Sequence, residues 1–356
     1  MRIVLSGGGT GGSVMPLLAV AEEIKKQKPS AEFLFVGTRK GVPEKELGQN
    51  VGMTYRAIFS GKLRRYFSLK NLVDPFLILF GFFQSVFLIL KFRPQAILSA
   101  GGFVAVPLSL AGWLLGVPIF IHQQDIVPGL ANRIIVPLAR RITVSFSVSM
   151  ENFEKKKTVL TGNPVRPEIF QGKKEEAVKI FGLEENVPVL LVKGGSTGAK
   201  DLNDLIFKII PQLTNFCQII HLTGPGKMII GEKADQTRYH QAEFLIKEMA
   251  DVYQVADLVV CRAGLGTLTE LSILRKPIIL VPIPDSHQEV NAEYFQKEAD
   301  VIVLSQKTLT PEILLEKIRN LIQSPDDLKQ KGEKIFFLAR PQAAEEISQV
   351  ILREIN

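Results

Sequence analysis

Two stretches of this sequence, 187 residues apart, repeat one device. Residues 2–6 (RIVLS) run into Gly7-Gly8-Gly9-Thr10-Gly11-Gly12 and open a helical pattern over 16–27. Residues 188–193 (PVLLVK) run into Gly194-Gly195-Ser196-Thr197-Gly198-Ala199 and open another. An apolar run that ends in glycines and gives way to a helix is the first unit of a doubly wound parallel sheet. Found twice in 356 residues, it predicts an α/β chain of two Rossmann-like domains. Further strand-like runs at 32–37, 96–99, 118–121, 142–145, 158–160, 217–222, 257–261 and 277–281 fit that frame, with helical patterns such as 264–275 between them. The Pro- and Gly-rich segment Thr161–Pro167 separates the halves, and residues 162–167 read as a hinge.

Composition narrows the function classes. With 46% hydrophobic and 22% charged residues the chain is globular, not disordered. Cys217 and Cys261 are its two cysteines, which excludes a disulfide framework or a cysteine-based zinc site and fits a reducing cytoplasm. Residues 1–161 hold 20 Lys+Arg against 9 Asp+Glu, whereas the remaining 195 hold 23 against 27. The basic half calls for an anionic partner: phosphates, an anionic membrane or nucleic acid. Nucleic acid is disfavoured, because the aromatics gather in one apolar run and no recognition motif appears.

That run, 76–90 (FLILFGFFQSVFLIL), contains Phe76, Phe80 and Phe83 and is flanked by Lys62, Arg64, Arg65, Lys70, Lys91 and Arg93. Fifteen helical residues extend ~22 Å at ~1.5 Å each, short of a bilayer core of ~30 Å. Gln84 and Ser85 also interrupt it. A helix partly buried and partly seated on an anionic membrane face is expected. The opening Met1–Leu5 is too short for a secretory apolar region.

Glycine lets a backbone approach a ligand closely, and a helix N-terminus offers free N–H groups to anions. Gly7, Gly9 and Gly12 satisfy the dinucleotide-binding spacing, but the second strand ends Val36-Gly37-Thr38-Arg39-Lys40 without the carboxylate a dehydrogenase needs. The P-loop pattern of nucleoside triphosphatases is absent as well. More polar clusters stand just beyond strand ends: Ser99–Phe103, His122–Asp125 with Pro128–Asn132, Arg262–Thr267 with Glu270, and Asp285–Gln288. Parallel α/β folds place ligands there.

The segments GGGTGGSVMPLLAVAEEI, GKLRRYF, SAGGFVAVP, HQQDIVPGLANR, TGNPVRPEI, GGSTGAKDLN, ADLVVCRAGLGTLTEL and DSHQEVNAEYF together resemble the MurG family of bacterial peptidoglycan N-acetylglucosaminyltransferases. The resemblance runs from residue 2 to about 350. It implies the GT-B fold: two Rossmann-like parallel-sheet domains facing across a cleft. The expected division is 1–161 for the acceptor, a 162–167 hinge, 168–338 for the donor, and a helix at 339–356 returning to the first domain.

The implied reaction is inverting transfer of GlcNAc from UDP-GlcNAc to the muramoyl 4-hydroxyl of lipid I, giving lipid II, with no cofactor and no catalytic metal. For the donor, the resemblance implies Glu270 on the ribose and the backbone of Ile246 on the uracil. Leu265, Gly266, Thr267, Ser196 and Arg166 would take the diphosphate, and Gln288 and Asn291 the sugar, with Thr10, Gly11, Gly12 and Asn132 completing the site. Gly8, Gly9, Gly101 and Gly102 would cradle the acceptor diphosphate. The cytoplasmic face of the plasma membrane and other cell-wall synthesis proteins are the implied partners.

Two positions depart from the family. Many members carry a candidate base, His, after the first glycine loop, where this chain has Ser13, which has no proton affinity near neutral pH. The family's His-Glu-Gln-Asn reads His122-Gln123-Gln124-Asp125. Asp125 is therefore the expected base or orienting group, and His122 is expected to be structural. The alternatives are another GT-B enzyme with a lipid acceptor, or a homologue that binds UDP-GlcNAc with impaired catalysis.

Overall fold

The computed structural model describes residues 1–8, 11–39, 53–61, 70–195, 198–229 and 237–355. Met1–Arg166 and Arg340–Asn356 form one compact unit, and Pro167–Ala339 another.

The first unit contains β1 (Arg2–Ser6), α1 (Met15–Gln27), β2 (Glu32–Thr38), β3 (Thr54–Ile58), α2 (Lys70–Phe92), β4 (Ala96–Ser99), α3 (Ala105–Leu114), β5 (Ile119–Gln123), α4 (Leu130–Ile135), β6 (Arg141–Val144) and β7 (Thr158–Leu160). Its seven strands are parallel in the order β3-β2-β1-β4-β5-β6-β7. Central strands are apolar along most of their length because both faces are covered, with polar residues such as Ser6, Ser99 and Gln123 at their carboxyl ends. Ile3, Leu5, Phe33 and Phe35 pack under α1, whereas Val4, Leu34, Val36 and Ile97 face α2 and α3.

The second unit contains α5 (Lys174–Phe181), β8 (Val189–Lys193), α6 (Lys200–Leu213), β9 (Gln218–Leu222), β10 (Tyr239–Ala242), α7 (Met249–Val255), β11 (Leu258–Cys261), α8 (Leu265–Ile273), β12 (Ile278–Leu280), α9 (His287–Ala299), β13 (Ile302–Val303), α10 (Pro311–Ile322) and α11 (Pro325–Phe336). Its six parallel strands run β10-β9-β8-β11-β12-β13. Leu190, Val192, Leu258 and Val260 pack with Ile206 and Ile210 of α6 and Leu314 and Ile318 of α10.

The chain then returns to the first unit as α12 (Ala343–Ile355). Ile347, Ile351 and Leu352 enter the core under α1, Gln27 Nε2 donates to Ser348 Oγ at 3.0 Å, and Glu354 bridges Arg140 and Arg141 at 2.6 Å each. Gly162, at φ +84°, lies against Arg340, and a Cβ there would sit 2.4 Å from the Arg340 Cβ.

The apolar run is longer than its sequence suggests. Asp74 and Pro75, which precede the run at 76–90, lie inside α2, and Asp74 is buried. At 23 residues the helix is ~35 Å long, and Val73–Phe92 is long and apolar enough to cross a membrane. One face nevertheless belongs to the core, through Ile89 among Val4, Leu34, Val36 and Ile97. The two polar interruptions face inward: Gln84 Oε1 accepts from the Phe59 N–H at 2.8 Å, and Ser85 Oγ donates to Gly81 O at 2.7 Å. On the other face Val73, Phe76, Phe80, Phe83, Phe87 and Leu90 are all more than half exposed. Their spacing of three and four residues makes one continuous apolar stripe.

Candidate active site

In each sheet the chain reverses winding direction beside its first strand, between β1 and β4 and between β8 and β11. Doubly wound folds bind ligands beyond the carboxyl ends of the strands at that switch point. The topology thus selects four loops: those after Ser6, Ser99, Lys193 and Cys261. Each carries glycines that the sequence singles out.

In the first unit the two glycine loops touch. Gly102 has φ +86°, and a Cβ on it would lie 2.5 Å from Gly8 O and 3.0 Å from Gly8 N. Gly101, at φ +88°, faces Asn132 Oδ1 at 2.8 Å from where its Cβ would be, and its N–H donates to Ser99 Oγ at 3.0 Å. Gly102→Ala is therefore both strained and obstructed, which should cost ~1–3 kcal/mol of stability and at least tenfold in turnover. Thermal unfolding and a transfer assay check this, and an unchanged midpoint with unchanged turnover would refute the tight contact.

The third loop of this unit follows β5. Gln123 is fully buried; its Nε2 donates to Asp125 O at 2.6 Å and Val127 O at 3.4 Å, and its Oε1 accepts from Asn132 Nδ2 at 2.6 Å. An amide at this position can donate to two carbonyls, which an ionised carboxylate cannot. Gln124 Nε2 reaches Gly12 O at 3.0 Å, so the neighbours of Asp125 and of Ser13 are in contact. Ser13 and Asp125 are themselves half-buried. His122 is buried with both ring nitrogens bonded, to Thr143 Oγ1 and Asn163 Oδ1 at 3.0 Å each. Burial pushes its pKa down to about 4, against the smaller opposing effect of the Asn163 bond.

In the second unit α8 begins at Leu265 with no side chain capping its first turn, which leaves the N–H groups of Leu265, Gly266 and Thr267 available to an anion. Glu270 lies on the same short helix, and its Oε2 accepts from Tyr253 OH at 2.8 Å. The phenol in turn accepts from Lys193 Nζ. Gln288 Oε1 accepts from the Ile283 N–H at 3.2 Å, and its Nε2 lies 3.9 Å from where a Gly264 Cβ would be, beside the start of α8. Asn291 is fully buried and donates to Ala263 O at 3.1 Å, bracing the loop that feeds α8. Ile246 is half-buried in the connection between β10 and α7.

At the end of the first unit, Arg166 is half-buried, and its Nε has no hydrogen-bond partner among the described residues. Gly9, Thr10, Lys62, Arg64, Arg65 and Ser196 lie outside the described residues. Lys193 and Tyr253 are the site neighbours that the sequence reading passed over. Lys193 had a signal, a charge closing an otherwise apolar strand; Tyr253, 17 residues from Glu270, had none.

Comparison with known proteins identifies the two domains. Residues 3–144 match the glycosyltransferase family 28 N-terminal domain and residues 189–347 its C-terminal domain. Two Rossmann-like parallel-sheet domains of this kind define a GT-B glycosyltransferase. A UDP-N-acetylglucosamine–N-acetylmuramyl-(pentapeptide) pyrophosphoryl-undecaprenol N-acetylglucosamine transferase of Bacillus cereus is 34% identical over 361 residues, covering 100% of this chain and 99% of its own. The like-named protein of Lachnoclostridium phytofermentans is 38% identical, covering 91% of each chain. The crystal structure of Acinetobacter baumannii MurG superposes with a TM-score of 0.74 at 26% identity, over 99% of both chains. This chain belongs to that transferase family, the MurG family.

Proposed function

We propose that this protein transfers GlcNAc from UDP-GlcNAc to the 4-hydroxyl of the MurNAc of lipid I, undecaprenyl-diphospho-muramoyl-pentapeptide, and so makes lipid II for peptidoglycan. The observation that carries the proposal is likeness over 91–100% of the chain, at 34–38% identity, to enzymes named for that transfer.

The second domain holds the donor. Glu270 accepts the ribose hydroxyls, the Ile246 backbone meets the uracil, and the free N–H groups of α8 meet the diphosphate. Gln288 contacts the sugar, and Asn291 sets the loop beside it. The orphaned guanidinium nitrogen of Arg166 fits a phosphate oxygen. The first domain holds the acceptor, its diphosphate on the glycine loops around Gly8, Gly101 and Gly102. Asp125 takes the proton of the 4-hydroxyl as that oxygen attacks the anomeric carbon. The bond to UDP breaks with inversion, and the charge developing on the leaving diphosphate falls on donors already in place. Product from labelled UDP-GlcNAc and a lipid I analogue, with chelator present, is the expected result. UDP-GlcNAc bound without transfer would overturn the acceptor assignment.

The protein works at the cytoplasmic membrane face as a peripheral enzyme. Its α2 stripe is lipid-facing in this reading, yet the helix does not leave the domain to span a bilayer, since that would uncover Val4, Leu34, Val36 and Ile97. Phe80 and Phe83 are each about 60% exposed, and seating such a side chain in lipid contributes ~1.5–3 kcal/mol. The double variant Phe80→Ser, Phe83→Ser should keep its thermal midpoint but lose at least tenfold in binding to anionic vesicles. Co-sedimentation unchanged from the parent would refute the assignment.

A further inference from the structure

Lys193 closes β8, whose other residues are Val189, Leu190, Leu191 and Val192, and it stands at the centre of a parallel sheet immediately before Gly194-Gly195. A cation there needs a partner. Its Nζ donates to Tyr253 OH and lies 4.9 Å from the centroid of that ring. Tyr253 is completely buried. The phenol donates its own hydrogen to Glu270 Oε2 at 2.8 Å. One buried oxygen thus ties together β8, α7 and α8.

The directions of titration agree with this arrangement. Burial pushes the Tyr253 hydroxyl well above its usual range, and the Glu270 charge adds to that, so it remains a donor. Burial lowers the Lys193 ammonium while Glu270 opposes the shift.

A glutamate side chain on a helix has several rotamers, and orienting it for a ligand carries an entropic cost. Here one oxygen is already held by a rigid phenol. Glu270 Oε1 makes no hydrogen bond among the described residues. A carboxylate has about four lone-pair sites, so the one bond to Tyr253 leaves capacity for a vicinal diol.

We propose that Lys193 and Tyr253 are positioning residues that preset the Glu270 carboxylate for the two ribose hydroxyls of the uridine nucleotide. This rests on reading Glu270 as the ribose-binding residue.

The test is calorimetric binding of UDP and of 2′,3′-dideoxy-UDP to the full chain. Tyr253→Phe keeps the ring, and Lys193→Met keeps the length of the side chain while removing the charge. Each should weaken UDP about tenfold, the size of one charge-assisted hydrogen bond, while changing dideoxy-UDP less than twofold. KM for UDP-GlcNAc should rise by the same factor with kcat nearly unchanged, and Lys193→Arg should recover part of the loss. Equal weakening of both nucleotides by Tyr253→Phe and Lys193→Met would overturn the proposal, because a merely structural role does not distinguish the diol. Glu270→Gln separates the two layers. If it leaves the preference for UDP over dideoxy-UDP intact, the reading of Glu270 fails and the proposal with it. If it removes that preference while the other two variants keep it, the positioning role alone fails.

Discussion

Asp125→Asn is expected to lower turnover about 10²–10⁴-fold, the usual contribution of a general base, with little change in the affinity for UDP-GlcNAc. The two side chains are the same size, so the loss would report proton transfer and not packing. The loop geometry should survive the change. Gln123 binds the main-chain oxygen of Asp125, not its carboxylate, and Gln124 anchors the same loop to Gly12. Ser13, where the resemblance to the family leads one to expect a candidate base, has no proton affinity near neutral pH. That leaves Asp125 as the ionisable group on this loop where the attacking hydroxyl is proposed to bind. Single-turnover transfer to a lipid I analogue measures the effect. A loss below tenfold would remove Asp125 from the chemistry and return it to a role in loop structure.

The second large effect is acid lability. His122 and His221 are fully buried, one in each unit. His221 is bonded to Tyr239 OH and Asn203 Oδ1 at 3.0 and 3.1 Å. Burial lowers the pKa of His122 from 6.5 to about 4 and that of His221 to about 3. Both imidazoles are neutral in the native state at pH 5, whereas the unfolded chain binds protons at both. The unfolded state therefore takes up more protons between pH 6.5 and each native pKa, and stability rises with pH across that window. The full contribution is present above pH 6.5 and is lost as pH falls toward 4 and then 3. At about 1.4 kcal/mol per pKa unit, His122 accounts for roughly 3 kcal/mol and His221 for somewhat more. Urea midpoints at pH 7.5 and 5.0 should fall for both units, and His221→Gln should flatten the dependence of the second. Equal midpoints at the two pH values would show that the imidazoles are hydrated or charged in the native protein.

The doubled strand–glycine–helix device was legible without coordinates because it is local: apolar strands covered on both faces read as continuous runs. Of the four edge strands, β7 at 158–160 was legible too, but the other three were not. Thr54–Ile58 (TYRAI), Tyr239–Ala242 (YHQA) and Ile302–Val303 each lie at the rim of a sheet, short or partly polar, and leave no such run. The extent of α2 was missed for a related reason. Asp74, Gln84 and Ser85 look like breaks in an apolar span, but the domain gives each a buried or hydrogen-bonded place.

At the site, the sequence marked the loops and the structure supplied their pairings. That Gly102 lies on Gly8, that Gln124 reaches Gly12, and that Lys193 meets Glu270 through Tyr253 all depend on which strands are neighbours. Periodicity and spacing report how one element distributes its polar and apolar faces. They determined that this protein folds into two parallel α/β domains with glycine loops at the strand ends. Strand order and register bring residues 60 or 94 positions apart into contact, and only the tertiary structure decided those.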